Sequence, residues 1–120
     1  MKKSLLLAAL LLSSAAQAET WVCSYPGAGG VFLSTYVRQG AEFSYTLTTP
    51  ATQEEESSTY QMRPLEILAE TDAMLTLAEI KPDGTEVALT MINKITKQEV
   101  DDSISFHGDI SRSEGSCIII

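Results

Sequence analysis

The chain has 120 residues, with 8 Lys and Arg against 16 Asp and Glu, one His, two Cys and a net charge of −8 at pH 7. That balance argues against nucleic acid and anionic membrane as partners, because both reward clustered Lys and Arg; a basic protein or a cation is the favoured company. A single histidine also leaves histidine-dependent catalysis only one candidate.

Met1-Lys2-Lys3 is a positively charged start, Leu5 to Leu12 is unbroken Leu and Ala, and Ala16-Gln17-Ala18 is a small-x-small cleavage site. In that order the three parts read as a secretory signal peptide over residues 1–18, cleaved after Ala18. The apolar run is far short of the ~20 residues a spanning helix needs, so no stable membrane anchor is expected after cleavage. The mature chain, 19–120, is then a single domain in the periplasm or outside the cell. Loss of Lys2 and Lys3 leaves six basic residues against 16 acidic ones, a net charge of about −10.

The last four residues, Cys117-Ile118-Ile119-Ile120, have the form of a prenylation signal. Prenyl transfer is cytosolic and an exported chain does not meet it. Cys23 follows the bulky Thr20-Trp21-Val22 rather than a lipoprotein cleavage point. Two cysteines in an exported chain read as one disulfide, Cys23 to Cys117. Closing so long a loop stabilises a small domain by up to about 4.7 kcal/mol.

Along the mature chain, short alternating runs are separated by turn residues. Trp21, Cys23 and Tyr25 share one face of a first strand that stops at Pro26-Gly27-Ala28-Gly29-Gly30, a glycine-rich turn with no Lys-Ser/Thr after it and hence no phosphate loop. Val31 to Arg38 is a second strand, Gln39-Gly40 a turn, and Phe43, Tyr45 and Leu47 alternate with Ser44, Thr46 and Thr48 in a third. Thr49 to Ser58 is an exposed polar loop. Tyr60 and Met62 resume the alternation, and Pro64 to Thr71 reads as a strand, with a helical turn as the competing period.

Ala73 to Ile95 is a β-hairpin about Lys81-Pro82-Asp83-Gly84-Thr85, with Leu75 and Leu77 on one arm and Val87, Leu89 and Met91 on the other. Lys97 to Asp102 reads as a polar turn. Ile104, Phe106 and Ile110 mark a strand, Gly115 a turn, and Ser116 to Ile120 a last strand buried on one side. The sum is an all-β fold: a small antiparallel meander of about eight strands in a closed or nearly closed barrel, with a β-sandwich as the alternative. Closure pairs the first strand with the last and brings Cys23 beside Cys117.

Catalytic groups are scarce. No Gly-x-Ser-x-Gly elbow is present, and no pair of carboxylates stands out for glycoside hydrolysis. His107 and Asp109, with Asp101 or Asp102, are weak metal candidates whose spacing matches no ligand motif. No metal, cofactor or enzymatic activity is expected. Glu54, Glu55, Glu56, Ser57, Ser58 and Tyr60 form the candidate partner-binding loop.

Trp21-Val22-Cys23-Ser24-Tyr25 near the start, and a final Cys just before a short apolar tail, resemble the small periplasmic inhibitors of C-type lysozyme. The resemblance implies an eight-stranded antiparallel barrel with its ends joined by a disulfide. It further implies a loop carrying Ser-Gly-x-x-Tyr that enters the lysozyme cleft. The nearest match here, Ser57-Ser58-Thr59-Tyr60, lacks the Gly and has a different spacing. The expected function is therefore a soluble, exported, non-enzymatic barrel that binds a partner through its loops, a basic protein being the one its charge favours. Lysozyme inhibition and small-ligand carriage are the alternatives, the latter because eight-stranded barrels can hold one small ligand.

Overall fold

The computed structural model describes residues 19–83, 87–104 and 108–120. Nine strands follow in chain order: β1 (Thr20–Gly27), β2 (Gly30–Gln39), β3 (Glu42–Thr49), β4 (Ser58–Gln61), β5 (Leu65–Glu70), β6 (Met74–Ile80), β7 (Val87–Asn93), β8 (Gln98–Ile104) and β9 (Ile110–Ile119). Among the described residues there is no helix. All pairings are antiparallel, and β1 meets both β2 and β9, so the sheet closes on itself. Closure makes this a barrel rather than a sandwich.

Eight positions make up the wall, because β4 and β5 share one of them. β4 pairs with Thr46–Thr49 of β3, and β5 pairs with Glu42 and Phe43 of the same strand. The break falls at Met62-Arg63-Pro64, where Pro64 has no N–H to give a ladder. β4 is thus a short extra strand leading into the eight.

The two ends of the barrel differ. At one end Trp21, Tyr36, Phe43, Leu65, Leu75, Leu77 and Ile92 are buried together. Cys23 and Cys117 are ladder partners on β1 and β9, bonded across a sequence separation of 94. An ionic strap crosses the same end. Arg38 reaches Glu19 at 2.7 Å and also Glu70, Lys94 meets Glu70 at 2.8 Å, and the Trp21 indole donates to Glu19 at 2.8 Å. The Arg38 guanidinium lies 4.8 Å from the Phe43 ring centroid and the Lys97 ammonium 5.4 Å from that of Trp21.

At the other end the ladders run out. β1 and β9 pair over only four positions, from Trp21–Ile119 to Ser24–Ser116. β5 meets β6 no further than Ala78, so Glu79 and Ile80 pair only with β7. Two half-sheets, β1–β4 and β6–β9, are therefore zipped at the apolar end and unpaired from each other at the opposite end. Gly115 sits just beyond the zip, where a Cβ would stand 2.5 Å from the carbonyl oxygen of Ser24. Gly30, at φ 144°, makes the β1–β2 turn lie against Pro50.

Several sequence readings are corrected. Gly115 is not a turn: it lies inside β9, which runs unbroken from Ile110 to Ile119. Gln98 to Asp102 is strand, and the turn before it is held by the Asn93 side chain, whose Oδ1 accepts from Ile95 and Thr96 N–H. Ile104 and Ile110 belong to two adjacent strands and are ladder partners. Ile118, Ile119 and Ile120 are exposed rather than buried on one side, because Ile119 pairs with Trp21 on the last rung of the β1–β9 ladder, at the rim of the barrel. β1 extends through Pro26 to Gly27. The signal segment, Gly84-Thr85, Phe106 and His107 lie outside the described residues.

Candidate binding cleft

Between the unzipped half-sheets lies a cleft of about 200 Å³. Alternation from the buried Cys23 and Phe43 carries Tyr25 and Tyr45 inward on one wall, with Met62 beside them. Alternation along β7, β8 and β9 carries Thr90, Asp101, Ser103, Ser111 and Ser113 inward on the other, and Glu79 of β6 joins them. One wall is aromatic and apolar; the facing one is mainly hydroxyl and carboxyl, with Ala88 and Leu89 among them. Among the described residues, no Lys or Arg lines the cleft. Thr90 donates to Asp101 at 2.7 Å, fixing that carboxylate on its wall. The Tyr25 ring stacks on its ladder partner Phe32 at 5.6 Å and the Tyr45 ring on its ladder partner Tyr36 at 5.1 Å, so the aromatic wall is braced sideways.

Below the cleft, toward the apolar end, sits Glu99. It is 1% exposed, and neither carboxyl oxygen has a hydrogen-bond partner. Such groups are rare in folded proteins and ask for a cause. Burial, and then the neighbouring Asp101 carboxyl, push its pKa up to about 9, so Glu99 is neutral near pH 7. Ser34, fully buried, also has an unsatisfied Oγ, although the Tyr25, Tyr36 and Tyr45 hydroxyls converge on it. Burial raises all three phenols, Tyr45 to about 12, so each stays a neutral donor. A second cleft, of about 490 Å³, opens at the β1–β9 seam beside Tyr25, Glu99 and Gly115.

The residues singled out from sequence are dispersed. Cys23 and Cys117 are bonded to each other. Glu54, Glu55 and Glu56 are exposed on a loop whose turn is clamped by Thr52, with Oγ1 accepting from Glu54 and Glu55 N–H. Ser57 donates to the Thr49 carbonyl, and Ser58 N–H to Thr49 Oγ1, so these serines pin the loop's neck. None of the six lines the cleft, although Tyr60, 52% exposed, is the ladder partner of Leu47 and shares the face of Met62. Asp109 is exposed, and Asp102 turns outward to a bidentate pair with Arg112 at 2.7 and 2.9 Å. Among the described residues, only Cys23, Glu99 and Cys117 lie close enough together to share an ion, and the disulfide occupies both sulfurs.

Sequence reading missed Glu79, Glu99 and Ser34, and placed Asp101 in a polar turn. Counting back in twos from Cys117 would have turned Ser113 and Ser111 inward, and their partners Asp101 and Ser103 with them. Family models, curated proteins and solved structures were compared with the chain, and none matches it.

Proposed function

We propose that this protein is an exported, non-enzymatic binding barrel that takes a positively charged partner, a basic protein, at its open end. The observation that supports it most is the cleft itself, which has carboxylates on one wall, tyrosines on the other and, among the described residues, no basic side chain in its lining. Charge of this sign steers a cationic partner and makes the association salt-sensitive. The acidic Glu54–Glu56 loop follows β3 at the same end and adds to the field. Enzymatic turnover gains no support: among the described residues of the cleft lining, no nucleophile is paired with a His or Lys base.

A C-type lysozyme is the specific basic protein worth testing first, because the eight-position barrel and its terminal disulfide are the features the lysozyme-inhibitor resemblance implies. Titration of purified protein with C-type lysozyme at low salt should give micromolar or tighter association that weakens as salt rises. Glu54→Gln combined with Glu56→Gln should slow association. No association with lysozyme removes that reading. No association with any basic protein of the envelope, or turnover of an envelope substrate, removes the broader one.

A further inference from the structure

We infer that the cleft between the half-sheets is a site for a small amphipathic ammonium, one aromatic ring carrying a short protonated amine. This goes beyond protein recognition at the rim and rests on features of the interior. Size comes first. A cavity of about 150 Å³ suffices for benzene, and the cleft here is about 200 Å³. One ring with a two-carbon amine fits, and a second ring does not.

The walls fix the orientation. Tyr25 and Tyr45 are each already stacked on a cross-strand neighbour, so a ligand ring can pack on them without reordering the wall. Asp101 opposite them is held by the Thr90 hydroxyl, with Ser113 as its ladder partner and Glu79 also on the lining. An ammonium placed there meets a carboxylate, hydroxyl acceptors and tyrosine π-faces together, and each favours a cation.

Beneath the cleft and outside its lining, Glu99 at 1% exposure stands two residues before Asp101 on β8, with its carboxyl beside that of Asp101. An ammonium has three donors and no acceptor, so it can serve the Asp101 carboxylate and the hydroxyls of the lining together. A neutral alcohol supplies one donor, and a carboxylate ligand supplies none and meets repulsion from Asp101 and Glu79.

The test uses three probes of one shape on the purified protein: phenethylamine, phenethyl alcohol and phenylacetate, followed by calorimetry and by chemical shifts. The amine should bind at least tenfold more tightly than the alcohol, with shifts at Tyr25, Tyr45 and Asp101, and phenylacetate should not bind. Asp101→Asn should weaken the amine at least tenfold. Ser113→Lys, at an exposed position that tolerates change, should abolish it while leaving the melting temperature near that of the parent. Equal binding of all three probes, no amine binding up to millimolar, or full amine affinity in Ser113→Lys would overturn the assignment. Lysozyme association measured on the same samples separates the two proposals, since either can fail while the other stands.

Discussion

The zipped end of the barrel and the unzipped end are built from the same strands yet serve different ends. At the first, the inward positions are mostly apolar or disulfide-bonded, with Ser34 and Glu99 beside the disulfide as the polar exceptions, and the ionic strap of Glu19, Arg38, Glu70 and Lys94 covers it. At the second, the inward positions of β8 and β9 are Asp101, Ser103, Ser111 and Ser113, and the ladders between half-sheets stop. Burial stabilises the first by roughly 25 cal/mol per Å² of apolar surface, and the second forgoes much of that gain. A barrel that places stability at one end can leave polar groups at the other. Departures of this kind from a consistent apolar interior are where function tends to reside.

The contrast can be broken most forcefully at the clasp. Cys23→Ala with Cys117→Ala should cost about 2–5 kcal/mol in denaturant unfolding, since it frees a span of 94 residues in the unfolded chain. Nearly as large is truncation inside the apolar end: Leu75→Ala should cost about 2–5 kcal/mol, whereas Ser113→Ala on the polar wall should stay within about 0.5 kcal/mol. Equal losses at the two positions would erase the distinction between the ends.

Glu99 sharpens it through pH. Its folded pKa is raised, from 4.5 to about 9, so between those values the folded state holds a proton that the unfolded state has released. This group's contribution is therefore full below about pH 4.5 and is lost as pH rises toward 9, at no more than about 1.4 kcal/mol per pH unit. Glu99→Gln should flatten that decline in urea titrations across the window. The smallest effect is expected at the strap. Lys94→Ala removes a partly exposed pair with Glu70 and should cost less than about 1 kcal/mol, shrinking further in salt.

The zipped end was also the part legible in the sequence. Trp21 and Cys23, Phe43 and Tyr45, and Leu75 and Leu77 recur two residues apart, so a period of two shows the inward face directly, and two cysteines allow only one bridge. Closure, the Ala73–Ile95 hairpin and the strand after Pro64 followed from these. The open end was opaque for a physical reason. Gln98-Glu99-Val100-Asp101-Asp102-Ser103 and Ser111-Arg112-Ser113-Glu114-Gly115 are polar on both faces, so alternation gives no contrast and composition alone reads as turn. Gly115 added to the error: its missing side chain serves the approach of Ser24, where a turn was expected. The candidate site was hidden by the same polarity that makes it one.

Hydrogen exchange resolved by residue tests the division most directly. Amides of Trp21–Ser24, Leu75–Leu77 and Ser116–Ile119 should open only with global unfolding. Those of β1 after Ser24 and of β9 before Ser116 that point into the seam should exchange orders of magnitude faster. Uniform protection around the whole barrel, with the seam amides as slow as those beside the disulfide, would contradict it.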